Sequence, residues 1–166
     1  MNSKKNVDAA EKLLNSTLSS IGETDVVESN RSDSRTQNIK IKPESLKKIA
    51  GSLKSNGFDY LSFITAVDYR SRIEMVYRFT SIQPGADFVV KCDLSSENPS
   101  IDSLCELYKT ADWNEREAYD MFGVKFNGHN DLRRILTCDD FPGHPLLKKF
   151  VVVDEPDQYG DDAQKS

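Results

Sequence analysis

The stretch between residues 58 and 94 constrains the fold most, because strand-like apolar patterns occur there three times in succession. The first run is largely apolar, and the other two alternate apolar with polar residues. An alternation with a period of two predicts strands with one buried and one solvated face. The predicted strands are 58–67, 73–80 and 88–94. Since a polar turn and Pro84-Gly85 keep the two connections short, we expect an antiparallel meander.

The chain before this meander is expected to contribute two helices and at least one strand. Residues 7–21 and 43–57 each place their apolar side chains on one face of a helix. Isoleucines at the ends of 39–41 indicate a strand between these helices. Residues 22–38 are polar, so a short strand at 26–27 and a mobile loop both remain open there.

Two further helical signals follow the meander. Ser100 can cap a short helix running to Tyr108, and Asp112 can cap a helix that ends at Gly123. Helices on both sides of a run of strands predict an α+β fold, in which helices pack on one antiparallel or mixed sheet. The predicted divisions are an N-terminal helix and polar linker (1–38), an α+β domain (39–125), and an extended partner-binding segment with an acidic tail (126–166).

The composition narrows the classes of partner. Hydrophobic residues make up 37% of the chain and charged residues 30%, which is typical of soluble globular proteins. No run approaches the ~20 apolar residues of a membrane span, and the N-terminus lacks the apolar region of a secretory signal. We therefore expect membrane contact only through partners. The net charge is −5, and without a basic face we expect no binding of nucleic acid.

The three cysteines bear on cofactors. Cys92, Cys105 and Cys138 are far apart in the sequence and form no CxxC pair. This spacing disfavours an iron–sulfur cluster, a thioredoxin-like motif and a zinc ribbon. We therefore expect free thiols.

The helix predicted before Gly123 carries a dense run of charges. Glu115 and Glu117 are two residues apart and point to different sides, so a paired-carboxylate acid/base site is disfavoured. An ion pair from Arg116 to Asp120 on a solvated face is one explanation of the run. Contact with a partner explains better why these charges adjoin apolar residues.

A near-repeat with an offset of 15 residues follows that helix. Residues 126–135 and 141–150 share the pattern F-x-G-H-x-x-L, followed by two basic residues and an apolar one. Glycine before histidine allows a sharp turn, and the apolar residues can hold each loop against a core. The basic pairs Arg133-Arg134 and Lys148-Lys149 are then expected to project outward.

Three functions of this repeat remain open from the residues alone. The first is a metal site of His129, His144 and Cys138, which lacks a close pair of ligands. The second is anion binding by the four basic residues, which acidic neighbours such as Asp131 disfavour. The third, which we favour, is an extended segment that lies against a partner. A stand-alone enzyme with either histidine as acid or base lacks a recognisable nucleophile or orienting partner.

Residues 115–146 resemble the signature of the C subunit of NADH:quinone oxidoreductase, the respiratory complex I. The resemblance is carried by EREAYDMFGV at 115–124, GHNDLRRIL at 128–136 and GHPL at 143–146. The chain departs from the family pattern at Asn130, where proline is usual, and again after the last of these motifs.

The resemblance implies a hydrophilic peripheral-arm subunit that holds no flavin, haem or iron–sulfur cluster and has no catalytic residues of its own. Such a protein packs beside the quinone-reducing D subunit and near the cluster-bearing B and I subunits. The complex lies at the cytoplasmic face of the cell membrane and couples electron transfer from NADH to quinone with proton translocation. Because the chain departs from the family pattern, an equivalent subunit of a related membrane-bound hydrogenase, or of a ferredoxin- or deazaflavin-linked dehydrogenase, is the alternative.

The residues expected at a partner interface all lie within the family-like stretch, residues 115–146. They are Glu115, Arg116, Glu117, Asp120, His129, Asp131, Arg133, Arg134 and His144.

Overall fold

One five-stranded sheet organises the hydrophobic core. The computed structural model of the protein describes residues 2–22 and 25–151, and the predicted acidic tail lies outside these residues. The helices are α1 (Asn2–Ile21), α2 (Leu46–Ser55) and α3 (Ala111–Phe122). The strands are β1 (Val26–Asp33), β2 (Thr36–Ile41), β3 (Tyr60–Asp68), β4 (Arg72–Ser81), β5 (Ala86–Ser95), β6 (Ser100–Asp102) and β7 (Lys125–Asn127). A short 3-10 turn at Pro43–Ser45 precedes α2.

The strand order in the main sheet is β1-β2-β5-β4-β3. β3, β4 and β5 are antiparallel neighbours, with Ile64 opposite Tyr77 and Tyr77 opposite Val90. The predicted meander is therefore confirmed. β2 pairs with β5 in parallel, so the sheet is mixed and the chain between these strands crosses over. The predicted α+β class, with helices packed on a mixed sheet, is confirmed.

The core lies on one face of this sheet. Tyr77, Phe79 and Phe88 are fully buried there, since alternate residues of a strand share a face. Phe58 meets Phe88 edge to face, with ring centroids 5.0 Å apart. α2 contributes four buried side chains at helical spacing: Leu46, Ile49, Ala50 and Leu53. Each leucine or phenylalanine buried in this way stabilises the fold by roughly 1.5–3 kcal/mol.

The N-terminal helix belongs to the same core. Ala10, Leu14 and Ile21 of α1 are buried in it. Arg31 on β1 also donates a hydrogen bond to the side-chain oxygen of Asn15 at 2.9 Å. α1 therefore docks on its own chain.

β1 differs from the expectation for residues 22–38. The sequence predicts a short strand or a mobile loop, whereas β1 spans eight residues and pairs antiparallel with β2. β1 lies at the sheet edge and exposes seven of these eight residues, so no apolar alternation marks it in the sequence. The predicted division after residue 38 consequently falls inside β2, because the hairpin spans it.

The helix predicted from Ser100 to Tyr108 is wrong. Its first residues form β6, which pairs in parallel with β7 and sets Ile101 beside Phe126. Both of these side chains are buried. Backbone N–H and C=O groups that would bond within a helix are therefore paired between β6 and β7 instead.

Candidate interaction site

α3 is the element on which the candidate site is built. The Thr110 hydroxyl holds the start of the helix to β3 by donating to the Leu61 carbonyl at 2.9 Å. The predicted cap at Asp112 is wrong, because the helix begins at Ala111 and Asp112 lies in its first turn. A carboxylate there still stabilises the helix through its dipole. Gly123 ends the helix as predicted, in the left-handed conformation with φ of 74°.

Asp120 holds the chain that runs past the helix, residues 128–151, here called the C-terminal segment. One oxygen, Oδ2, accepts the backbone N–H groups of Ile135, Leu136 and Thr137 at 3.1, 2.8 and 2.9 Å. The other, Oδ1, accepts from Arg134 Nη1 at 2.8 Å and from the Thr137 hydroxyl. The carboxylate is fully buried, and these donors satisfy it.

The charge state of Asp120 follows from these contacts. Burial alone would raise the pKa of this carboxyl, because it penalises the charged form. Hydrogen bonds from Thr137, the Leu136 amide and Arg134 outweigh burial and hold the pKa well below its usual range. Asp120 is therefore ionised at neutral pH and forms a shielded ion pair with Arg134.

Arg134 turns inward. Its side chain is 14% exposed, and it also donates to the carbonyl oxygens of Phe141 and Gly143 at 3.0 and 2.9 Å. The expectation that both members of the first basic pair project outward is wrong for Arg134, because the buried carboxylate of Asp120 is within reach. Arg133 does project outward.

Arg116 joins the helix to the same part of the C-terminal segment. Its Nε and Nη2 donate to the carbonyl oxygens of Arg133 and Arg134 at 3.3 and 3.2 Å. The residue is 7% exposed, and its guanidinium lies 5.5 Å from the centre of the Trp113 ring. The carboxylate of Asp120 pairs with Arg134, so Arg116 is free to bind these carbonyls.

The two histidines of the near-repeat contact the two ends of α3. A ring nitrogen of His129 lies 3.2 Å from the Asp112 carbonyl, and Nδ1 of His144 lies 2.8 Å from the Asp120 carbonyl. These carbonyls are separated by about 12 Å along the helix. The ring of His144 also lies where a side chain at Gly123 would be, 2.7 Å from an added Cβ. Each copy of the repeat therefore holds the C-terminal segment at one end of the helix.

Glu115 is buried on another side of α3. Its carboxylate accepts from the Ser103 hydroxyl and the Leu104 amide, both at 2.7 Å, and from the Cys105 thiol at 3.4 Å. Burial raises the pKa of this carboxyl, although the three hydrogen bonds act against that shift. Glu115 thereby joins the connection after β6 to the helix.

The residues predicted at an interface therefore have two kinds of environment. Those that hold the C-terminal segment or the preceding loop to α3 are buried or half-buried: Glu115, Arg116, Asp120, His129, Arg134 and His144. Those with exposed side chains are Glu117, Asp131 and Arg133. Their contact with a partner stays a prediction.

The sequence did not indicate several residues that hold the C-terminal segment and the connection after β6 to the rest of the fold. Asp68, at the end of β3, accepts the Lys148 amide at 2.7 Å, and that bond lowers the pKa of its carboxyl. Thr137 and Ser103 are the hydroxyl partners of the two buried carboxylates. These contacts span 12 to 80 residues of sequence, so no local spacing could have indicated them.

Several large side chains on α3 and the C-terminal segment are exposed to solvent. Trp113, Leu136 and Leu146 are 63%, 65% and 54% exposed. The side chain of Arg133 is 67% exposed and pairs with Asp131 at 2.9 Å. We call Trp113, Arg133, Leu136 and Leu146 the outer surface. Within residues 2–22 and 25–151, no helix combines the length and apolar character needed to cross a membrane.

Comparison with known proteins identifies relatives of this chain. The family described as "Respiratory-chain NADH dehydrogenase, 30 Kd subunit" matches residues 39–156. The NADH-quinone oxidoreductase C subunit of Moorella thermoacetica is 50% identical over 104 residues, which are 61% of this chain and 70% of that protein. The same component in Chloroherpeton thalassium is 46% identical over 97 residues, 57% of this chain and 40% of that protein. The chain thus spans between 40% and 70% of the length of these two relatives.

Solved structures give the same fold. A trypsin-resistant fragment of Nqo5 superposes with a TM-score of 0.64 at 27% identity, over 72% of this chain and 99% of the fragment. A chain of the membrane-bound sulfane sulfur reductase, an archaeal respiratory membrane complex, superposes with a TM-score of 0.77 over 94% of this chain and 98% of that one. At 21% identity, the second likeness shows the fold alone.

Proposed function

This chain belongs to the family of the 30 kDa subunit of the respiratory-chain NADH dehydrogenase, and we propose that it serves as a cofactor-free, peripheral-arm subunit of a complex-I-type NADH:quinone oxidoreductase. In this role it supports the quinone-reducing module of an enzyme that couples electron transfer from NADH to quinone with proton translocation. Its own side chains position partners rather than react.

The observation that carries the proposal is the way the C-terminal segment lies on α3. Buried charged groups hold the segment in place through Asp120, Arg134 and Arg116. The outer surface then presents Trp113 and leucines to solvent on a fixed frame. Tryptophan and arginine are enriched at the centres of protein interfaces, where they supply much of the binding energy. A pre-ordered surface of this kind binds a partner without a large cost in lost flexibility.

The proposed partners are other subunits of the same complex. The quinone-reducing D subunit is the most direct, and the B and I subunits lie near. Through these partners the chain is held at the cytoplasmic face of the membrane, as a peripheral component.

Purification of the assembly through an affinity tag on the full chain tests this proposal. We expect the tagged chain to bring down the quinone-reducing and cluster-bearing subunits, identified by mass spectrometry. Trp113→Ala should reduce this recovery about 30-fold, the loss typical of an interface hot spot of about 2 kcal/mol. Ile82→Ala, which removes a side chain 67% exposed on the β4–β5 turn, is the matched control and should leave recovery unchanged.

Charge at the outer surface is tested in the same way. Arg133→Ala should weaken recovery, whereas Lys48→Ala, which removes a comparably exposed cation paired with Asp25, should not. A tagged chain that brings down none of the cluster-bearing subunits contradicts the proposal. Recovery of a nickel–iron hydrogenase large subunit in place of a quinone-reducing one would assign the chain to the related hydrogenase assembly instead.

A further inference from the structure

Three side chains that can ligate a metal ion meet beside the first turns of α3. One ligand atom from each of Cys105, Glu115 and His129 lies within 4.8 Å of the other two. They come from three separate parts of the chain: the connection after β6, the helix, and the loop after β7. This set differs from the His129, His144 and Cys138 set considered from the sequence. In the described part of the chain, neither His144 nor Cys138 takes part in such a cluster.

The spacing of two of these atoms suits a small tetrahedral ion. The Cys105 sulfur and Glu115 Oε2 are 3.4 Å apart. Two ligands on a tetrahedral zinc ion, with bonds of about 2.3 Å to sulfur and about 2.1 Å to oxygen, lie about 3.6 Å apart. The Asp112 carboxylate lies close by, with Oδ1 3.2 Å from His129 Nε2, but it is not among the ligand atoms that all lie within 4.8 Å of one another.

The environment of Glu115 is compatible with a bound metal ion. Its carboxylate is fully buried, and no lysine or arginine among residues 2–22 and 25–151 pairs with it. The groups that donate to it are a hydroxyl, an amide and a thiol. A carboxylate that is buried without a cationic side chain can be balanced by a bound metal ion. A cavity of about 320 Å³ reaches the cluster from solvent and is lined in part by Cys105, Asp112 and His129.

We propose that Cys105, Glu115 and His129 bind a zinc ion, with solvent from the cavity as the fourth ligand, and that the ion ties the start of α3 to the loops on either side. Thiolate, imidazole and carboxylate are the ligands zinc prefers. The proposed ligands are not members of the outer surface, so the proposal does not depend on the proposed function.

Binding changes the hydrogen bonds of His129. In the structure Nδ1 accepts the Asp131 amide, so the ring proton lies on Nε2, which faces Asp112. When Nε2 binds the ion, that proton moves to Nδ1 and the Asp131 amide loses its acceptor. The Cys105 thiol gives its proton to solvent, because the thiolate is the form that binds. The amide of Asp131 should therefore shift in an NMR spectrum when zinc is added.

The test uses the purified full chain, freed of metal by a chelator and dialysed against zinc or cobalt alone. We expect one equivalent to bind, with a thiolate-to-cobalt charge-transfer band and a melting temperature raised by the metal. Cys105→Ser and His129→Gln should each weaken binding more than about 100-fold, beyond the range seen when supporting residues are changed. Cys138→Ser, which alters an exposed thiol outside the cluster, is the matched control and should bind like the wild type.

Three results would overturn the proposal. The first is the absence of stoichiometric binding by the wild-type chain. The second is binding that survives both Cys105→Ser and His129→Gln, and the third is binding that is lost in the Cys138→Ser control. Circular dichroism of each metal-free variant separates loss of a ligand from loss of the fold.

Discussion

Asp120→Asn is the substitution that most sharply tests how the C-terminal segment is held. The change keeps the shape of the side chain but removes its charge. Asparagine has one carbonyl oxygen, which can still accept the three backbone amides that meet Oδ2. Its NH₂ group then faces Arg134 Nη1, where the native Oδ1 accepts at 2.8 Å. Two donors therefore meet, and the guanidinium loses its counterion.

The size of the effect follows from this geometry. Removing one partner of a buried ion pair costs about 3–5 kcal/mol. Arg134 keeps two carbonyl acceptors and is 14% exposed, so the lower end of that range applies. A cost of about 3 kcal/mol corresponds to a factor of roughly 100 in the opening equilibrium of the segment.

Hydrogen exchange of single amides measures that opening directly. In Asp120→Asn, the amides of residues 135–137 should exchange about 100-fold faster, while those paired between β4 and β5 stay protected, since the segment can open without the sheet. Asp131→Asn is the control, because the Asp131–Arg133 pair is exposed and such pairs contribute about 1 kcal/mol or less. A change below threefold at 135–137 in Asp120→Asn would refute the role assigned to this carboxylate.

Three further outcomes follow from the structure. Because folding lowers the pKa of Asp120, its contribution to stability is complete above the unfolded pKa of about 3.9 and is lost as the pH falls below that value. Amide exchange between pH 5 and about 2.5 should therefore show residues 135–137 opening more readily as the pH falls, and Asp120→Asn should abolish this pH dependence. Gly123→Ala should lower the free energy of unfolding, measured in urea, by about 2 kcal/mol, because φ is 74° and the new Cβ meets the His144 ring. Gly51→Ala, which has open space around it in α2, should raise that free energy by up to about 1 kcal/mol. Burial raises the pKa of Cys92 to about 12, so mass spectrometry should find it alkylated only after global unfolding; modification of the native chain would contradict this.

The strands and helices that the sequence predicts well are those with a repeating apolar pattern. β4 and β5 alternate because one face is buried, and α2 presents four apolar residues to the core. β1 has neither feature, since it is an edge strand that pairs through its backbone and exposes its side chains. Ser100 carries a valid capping signal, but pairing of β6 with β7 overrides it. Local signals therefore fail where a tertiary partner supplies the hydrogen bonds.

Charged residues in the site show a similar limit. The sequence identifies the charged run on α3 and the two histidine loops, and both lie together in the structure. It could not indicate that Asp120 and Glu115 face inward, because a charged residue on a helix is usually solvated. Their partners are 10 to 17 residues away and belong to irregular chain. Burial of a charge depends on those distant donors, which no spacing on the helix reveals.

Oxidative footprinting of Trp113 tests most directly whether the outer surface contacts another protein of the assembly. The chain has one tryptophan, which is 63% exposed, so its oxidation can be followed on a single peptide by mass spectrometry. The free chain should be oxidised readily at Trp113, and the chain within the purified complex several-fold more slowly. Ile82 should react equally in both states. Equal oxidation of Trp113 in the free and assembled chain would contradict the account.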